Sequence, residues 1–326
     1  MHDLIQFPLT AQPSGLDDLI RKANDLIHSA KADSTRKAYR NDWRAFESWC
    51  QVHNLPSLPS TPQAVALYIT DCVNHLAAAT ISRRLASISK AHQAAGFKDS
   101  PSSTKHYVVG EVLKGARREL GVAQKEKDPL LLDDIRRIRA ACPENLLGLR
   151  DRALVLVGFA GALRRSELVS IEVSDLTFSE EAGLGLIVHL RRSKTDQEGE
   201  GCDVAIPFGE HEETCPVAAL RAYLAAASIK EGKVFRGINR HGKPGSGLHA
   251  NSVATILKRA AVRAGIDPTN VAGHSMRSGM ATQAALNGAG ERQIAKTTRH
   301  RSQRVLRRYI RTGKLFRDNA SSTLGL

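Results

Sequence analysis

The chain has 326 residues, of which 42% are hydrophobic and 25% charged, a balance typical of a globular protein with room for two domains. A formal net charge of +14 and a pI of about 9.8 indicate a polyanionic partner, DNA or RNA, and argue against an acidic small molecule. Aromatic residues make up 5% of the chain, which disfavours binding of single strands by base stacking and favours contact with a duplex backbone.

The cysteines and the apolar segments bear on compartment and cofactors. Five scattered cysteines without a C-x-x-C pair predict reduced thiols in a cytoplasmic protein, with no zinc or other metal site. The start, MHDLIQFPLTAQP, does not resemble a signal peptide. The longest apolar run, Ala153 to Leu163, is too short to cross a bilayer, so no membrane partner is expected.

The first 120 residues predict an all-helical domain. A helix covers 16–30, and a second begins with Ser34 as its N-cap and places Tyr39, Trp43, Phe46 and Cys50 on one side. Thr61-Pro62 predicts the start of a third, by a cap followed by a first-turn proline. Further helices are expected from about Ala79 and from about Ser102 to Leu120. The polar stretch GVAQKEKDP, 121–129, reads as a linker, and 130–326 as a second domain.

Basic residues line the predicted helices of the first domain. They could contact duplex DNA or form an ordinary solvated surface, and the sequence leaves both interpretations open. The candidate DNA-binding residues are Arg36, Lys37, Arg40, Arg44, Arg83, Arg84 and Lys90.

The second domain predicts helices with a small β-sheet, so that the whole chain is mainly α. Helices are expected at 132–141, 149–163, 215–227 and 251–264, and strands at 185–191 and 203–208, which form a hairpin carrying Lys194. Arg164 and Glu167, three residues apart, form either a surface ion pair or an orienting contact. The Gly-rich basic stretch 237–247 reads as a loop and lacks the G-x-x-x-x-G-K-[ST] pattern, so no nucleotide cofactor is predicted.

The stretch from Gly273 to Arg311 concentrates the chemistry. His274 and Arg277 lie one turn apart on a helix predicted to begin near Ser275, and they are expected to point the same way. Tyr309 follows His300 by nine residues, on a short helix predicted to begin near Ser302 with Val305, Leu306 and Ile310 on its apolar side. A phenol among cationic and imidazole groups is suited to attack on a phosphate.

This ordered set resembles the tyrosine recombinase (phage integrase) family, in a Cre-like or Xer-like form. The likeness covers Leu132 to Arg311, and the first domain fits the family's core-binding domain, so the resemblance implies that domain followed by an α+β catalytic domain. LRRSEL and GHSMRSG carry the two arginine motifs. The implied catalytic residues are Arg164, Lys194, His274, Arg277, His300 and Tyr309, with Glu167 supporting Arg164.

The resemblance also implies a mechanism and partners. Tyr309 would form a 3′-phosphotyrosyl link, with Arg164 and Arg277 holding the phosphate, Lys194 as general acid and His274 as base. The partners would be a duplex target site with inverted-repeat arms, a homotetramer of this chain and accessory DNA-bending proteins, with the tail after Arg311 as an assembly element. The outcome would be integration, excision or resolution. One departure is Arg299 before His300, where the family often has glycine.

Two other functions share these features. A type IB topoisomerase uses the same residue types to relax supercoils as a monomer. A non-catalytic DNA-binding regulator could keep the same scaffold without the reaction.

Overall fold

The computed structural model describes residues 16–30, 32–97, 104–122, 127–179, 183–191, 201–300, 306, 307 and 309. The chain divides into two compact units, unit 1 from Met1 to Gln124 and unit 2 from Lys125 to Leu326. That division falls inside the polar stretch 121–129. In the part of the chain that is described, no helix is long and apolar enough to cross a membrane.

The described residues of unit 1 form helices around one apolar core. Trp43, Phe46 and Cys50 of the second helix are buried against the third and fourth helices, because their spacing puts them on one face. The helices are α1 (Asp17–Ser29), α2 (Asp33–Val52), α3 (Pro62–Val73), α4 (Ala78–Ala94) and α5 (Tyr107–Leu120).

One helix start in unit 1 agrees with the sequence prediction and two differ from it. Thr61 caps α3 as predicted, since its hydroxyl accepts the Ala64 N–H. The N-cap of α2, however, is Ala32, and Ser34 lies within the first turn behind Asp33, whose carboxylate suits the positive end of the helix. The α5 helix begins only at Tyr107, because residues 104–106 form a turn and the His106 ring accepts the Val108 N–H.

Unit 2 packs helices around a small antiparallel sheet, and the predicted fold class is confirmed. Strands β1, β2 and β3 pair in that order, and β4 pairs with β5 in a separate hairpin. The elements are α6 (Leu132–Ala140), α7 (Leu146–Ala160), α8 (Arg165–Ser170), β1 (Leu176–Ser179), β2 (Gly185–Leu190), β3 (Cys202–Pro207), α9 (Pro216–Ala226), β4 (Arg236–Ile238), β5 (Pro244–Gly247), α10 (Ala250–Arg263), α11 (Ser275–Leu286) and α12 (Glu291–Thr298).

Three short elements of unit 2 were not predicted: β1, the β4–β5 hairpin and α12. The stretch 237–247, predicted as a loop, is mostly that hairpin, and the prediction was wrong there. Its turn closes because the Asn239 side-chain oxygen accepts the N–H groups of His241 and Lys243, with Gly242 at a φ of +72°. The two strands, RGI and PGSG, thus form without an alternation of apolar and polar residues.

The segment 127–130, part of which was predicted as linker, is hydrogen-bonded to the rest of unit 2 beside α11. The Leu130 N–H donates to the Ser275 carbonyl at 3.0 Å, and the Asp128 N–H to the Asn270 carbonyl at 3.1 Å. A Cβ added at Gly279 would lie 1.9 Å from the Leu130 carbonyl oxygen, so only glycine allows this approach. The contact fixes the helix that carries Arg277.

Candidate active site

Arg164 lies where the turn after α7 leads into α8. Its backbone N–H donates to Glu167 Oε2 at 2.9 Å, and its guanidinium forms an ion pair with Glu167 Oε1. The Glu167 side chain is 1% exposed and that of Arg164 17% exposed. The pair is therefore a buried, orienting contact, and the surface ion pair left open by the sequence is excluded.

Arg277 is buried on α11, with 1% of its surface exposed. Its Nη1 donates to the Ala162 carbonyl at 2.7 Å, and its Nη2 donates to the Thr298 carbonyl. One guanidinium therefore joins the turn before Arg164 to the end of α12. His274, by contrast, is exposed at the N-cap of α11.

Arg299 occupies the same region. Its Nη2 donates to Glu167 Oε2 at 2.9 Å and to the Ala162 carbonyl at 3.2 Å. Its Nη1 donates to the carbonyls of Gly161 at 3.1 Å and Thr297 at 3.0 Å. Sequence reasoning noted this arginine only as a departure and gave it no role. The sequence contains one indication of a role for Arg299, namely an arginine directly before His300 where the family often has glycine.

Positive charge accumulates at this point in the fold. Among the described residues, three guanidinium groups, those of Arg164, Arg277 and Arg299, lie around the carboxylate of Glu167. Burial and the charges of Arg164 and Arg299 lower the pKa of Arg277 to about 9. Burial alone would raise the pKa of Glu167, but the Arg164 N–H and the charges of Arg299 and Arg164 lower it. The cluster is suited to an anion, which would relieve the repulsion between its cations.

His300 is half-buried at the end of α12. Its Nδ1 lies 2.7 Å from Thr298 Oγ1, and that hydroxyl donates to the Ile294 carbonyl at 2.7 Å, so Nδ1 carries the hydrogen and donates it to Thr298. Burial and the charges of Arg277 and Arg164 lower the pKa of His300 to about 4. The imidazole is neutral at pH 7, and its Nε2 is an acceptor.

Tyr309 meets His274 across the site. Its hydroxyl oxygen lies 2.8 Å from His274 Nε2, and its ring centroid lies 5.8 Å from that of His300. When His274 is neutral, the Tyr309 hydroxyl donates a hydrogen bond and His274 Nε2 accepts it. This geometry is suited to transfer of the phenol proton to the imidazole. The structure thus brings together Arg164, Glu167, His274, Arg277, His300 and Tyr309.

Lys194 lies outside the described residues, which end at Arg191 and resume at Gly201. The same holds for Ser302, Val305 and Ile310 of the predicted last helix, whereas Leu306, Arg307 and Tyr309 are helical.

Four of the candidate DNA-binding residues of unit 1 make side-chain contacts within that unit. Arg83 donates to the buried Asp42 carboxylate at 2.7 Å and 3.1 Å, and Arg84 donates to the Tyr68 hydroxyl at 2.7 Å. Arg36 pairs with Asp33, and Lys90 donates to Gln93. Arg83 and Arg84 therefore stabilise the packing of α2, α3 and α4, and DNA contact by any of these residues stays a prediction.

Comparison with known proteins identifies the family of this chain. The sequence profile of the phage integrase family matches residues 129–314. An "integrase/recombinase xerD homolog" of Selenomonas ruminantium is 41% identical over 301 residues, which are 92% of this chain and 87% of that protein. The chain belongs to the phage integrase family and is an enzyme of the tyrosine recombinase class.

Solved structures share the fold at low sequence identity. A lambda integrase dimer bound to a COC′ core site superposes with a TM-score of 0.58 at 17% identity, covering 90% of this chain and 93% of that one. The Tn1549 transposon integrase in complex with circular intermediate DNA gives a TM-score of 0.60 at 15% identity, covering 88% of this chain and 92% of that one.

Proposed function

We propose that this protein cuts and rejoins duplex DNA at a specific site through a covalent 3′-phosphotyrosyl bond on Tyr309. The observation that carries the proposal is the 2.8 Å contact between the Tyr309 hydroxyl and His274 Nε2, next to a buried arginine cluster. The proposal is also supported by the names of similar proteins. The Selenomonas protein is named an integrase/recombinase, and the lambda protein is an integrase bound to a COC′ core site.

Each group has a role in the reaction. Tyr309 Oη attacks the scissile phosphorus as its proton passes to His274 Nε2, and the bond to the 5′-oxygen breaks. Lys194 gives the leaving 5′-oxygen its proton. Arg164 and Arg277 neutralise the charge that develops on the non-bridging oxygens, where pre-oriented donors are most effective. Rejoining reverses these steps on a new 5′-hydroxyl, and the phosphotyrosyl bond conserves the energy of the phosphodiester.

In this mechanism the His300 imidazole changes from neutral to protonated when the phosphate binds. In the free protein its neutral Nε2 can only accept a hydrogen bond, whereas contact with a phosphate oxygen requires a donor. A bound phosphate anion opposes the repulsion from Arg277 and raises the pKa of His300. His300 then binds the phosphate in its protonated form.

The finer assembly belongs to the same proposal. The target is a duplex site with inverted-repeat arms, on which four copies of the chain exchange strands in a DNA-associated cytoplasmic complex. Accessory DNA-bending proteins assist. Unit 1 is the core-binding domain, and 130–326 is the catalytic domain with its tail.

Capture of covalent protein–DNA adducts tests the proposal. The protein is incubated with a random duplex library, and the DNA that resists denaturing wash is sequenced. The wild type should enrich one motif, Tyr309→Phe should bind duplex but form no adduct, and Tyr107→Phe, which changes an exposed tyrosine of unit 1, should behave as the wild type. An adduct that survives in Tyr309→Phe would assign the nucleophile elsewhere. Relaxation of plasmids without any enriched motif would favour a topoisomerase, and no adduct at all a non-catalytic regulator.

A further inference from the structure

Arg299 stands at a backbone position that L-residues with a side chain rarely occupy. It follows α12 with φ 55° and ψ 42°, the left-handed region that glycine adopts most readily. An arginine at such a position is strained relative to glycine, so its side chain must make contacts that offset the strain.

Those contacts reach the turn that presents Arg164. Arg299 donates to the carbonyls of Gly161 and Ala162, the two residues between α7 and the Leu163–Arg164 segment. Ala162 itself has a φ of 45°, and its carbonyl also accepts from Arg277. Two guanidinium groups thus hold the carbonyl of one strained turn.

The same side chain shares the carboxylate of Glu167. The Arg164 guanidinium pairs with Oε1, and Oε2 accepts from both the Arg164 backbone N–H and Arg299 Nη2. Both guanidinium side chains are largely buried, 17% and 13% exposed. Arg164 holds both carboxylate oxygens from the start of α8, and Arg299 adds the contact from the end of α12, so the position of the Glu167–Arg164 pair relative to α12 depends on Arg299. Because Arg299 directly precedes His300, the side chain also connects the backbone of His300 to this pair.

We propose that Arg299 is a positioning residue, which locks Glu167 and the turn before Arg164 and so sets the phosphate-holding arginine and His300 in one geometry. The inference rests on the proposed function, since it concerns the alignment of that reaction.

Substitution by glycine isolates the side chain, because glycine accepts the backbone conformation without strain. Arg299→Gly should fold, bind duplex with a Kd within about threefold of the wild type, and cleave saturating DNA in single turnover about tenfold more slowly or worse, since small misplacements of catalytic groups cost such factors. Guanidinium ion at about 20 mM, far below denaturing concentrations, should restore part of the rate by filling the vacated site between Glu167 and the turn. Arg299→Lys, which keeps the charge without the fork, should be slow as well.

Arg263→Ala is the matched control. Arg263 also pairs with a buried carboxylate, Asp151, at 3.2 Å, but on α10. It should lose thermal stability, keep its cleavage rate at temperatures where it is folded, and show no response to guanidinium.

Two failures can be told apart. A wild-type cleavage rate in Arg299→Gly overturns the positioning role alone. So does a rate loss that is seen only at temperatures where Arg299→Gly is partly unfolded and that guanidinium does not rescue. A wild type that forms no adduct through Tyr309 overturns the proposed function and this inference with it.

Discussion

The carboxylate of Glu167 offsets only part of the positive charge of Arg164, Arg277 and Arg299. The described residues of the site therefore leave a net positive charge that would attract an anion. Neutralising the cluster fully would remove its attraction for a phosphate, while leaving out Glu167 would let the guanidinium groups repel each other within a buried space. In the proposed reaction the phosphate of the substrate would supply the missing negative charge.

His300 should make the stability of the protein sensitive to acid. Its pKa is about 4 in the folded protein against an ordinary 6.5, because burial and neighbouring arginines disfavour the imidazolium. Between pH 6.5 and about 4, the His300 imidazole is therefore protonated in the unfolded chain and neutral in the folded chain. As a result, the free energy of unfolding falls as the pH drops from 6.5 towards 4. His300→Gln removes this titration. Its melting temperature should fall less than that of the wild type between about pH 7 and pH 5, measured by thermal unfolding without DNA. Parallel decreases would contradict the depressed pKa.

Lys194→Ala should slow cleavage of ordinary DNA on the order of a hundredfold or more, the scale of a lost general acid. A substrate with a 5′-bridging phosphorothiolate, whose sulfur leaves without a proton, should recover most of that loss. Lys243→Ala, at the exposed turn of the β4–β5 hairpin, is the control and should cleave both substrates normally. A defect of equal size on both substrates in Lys194→Ala would reduce that lysine to a binding role.

The sequence predicted most of the residues that lie together in the described part of the site, but not how they are held, and the placement of Lys194 stays a prediction. His274, Arg277, His300 and Tyr309 stand out by chemical type and order. The contacts of Arg299 with Gly161, Ala162 and Glu167 cross more than 130 positions of the chain and join a side chain to backbone carbonyls, which leave no trace in residue type.

Among the elements, α11 depends on an approach that glycine alone permits. Gly279→Ala would force its Cβ into the Leu130 carbonyl, which cannot retreat because segment 127–130 is hydrogen-bonded to unit 2. We expect a loss of about 2 kcal/mol or more, the scale of overpacking, seen as a lower melting temperature of the full chain and slower cleavage as Arg277 shifts.

Gly115→Ala provides the control for this substitution. Gly115 lies inside α5 with no atom within 4 Å of an added Cβ, so alanine should stabilise that helix by up to about 1 kcal/mol. Equal effects of the two substitutions would mean that the contact with Leu130 gives way at little cost.

Long periodic helices were the predictable elements, and short ones were not. The face of Trp43, Phe46 and Cys50 extends over two turns of α2 and gives a clear signal. Strand β1 has four residues and β4 three, lengths at which no period can be counted, and they exist because β2 and β5 supply their hydrogen bonds. The start of α2 was also missed, because its N-cap, Ala32, makes no side-chain cap hydrogen bond and a nearby polar residue such as Ser34 does not by itself fix where a helix begins.

For the whole molecule, charge is divided unevenly between the two units. Residues 125–326 carry 32 Lys and Arg against 22 Asp and Glu, whereas residues 1–124 carry 15 against 11. Most of the net +14 therefore belongs to the unit with the candidate active site. The general attraction for DNA is expected to come mainly from unit 2, and unit 1, with Arg83 and Arg84 engaged internally, has fewer cations to offer.

The tail after Arg311 should decide whether single cleavage events become recombination. Exchange among four copies requires each active site to respond to its neighbour, and a C-terminal segment passed to the adjacent subunit would provide that link. Leu315, Phe316, Leu324 and Leu326 are too few for a core and poorly suited to exposure, whereas a frayed terminus is the simpler alternative. Truncation at Thr312 should keep binding to a single site and adduct formation, and abolish cooperative occupancy of paired sites and strand exchange.

Substitution of those four apolar tail residues by serine should reproduce the truncation, while alanine at Asn319, Ser321 and Ser322 should not, because the apolar side chains are the proposed contact. Gel-shift titrations on one and two sites, with a plasmid recombination assay, separate the two steps. Full recombination by the truncated protein would remove the tail as the connector. Two of the exposed apolar residues of unit 1, Leu19 and Leu26 on α1, would then be the next place to look for contacts between subunits.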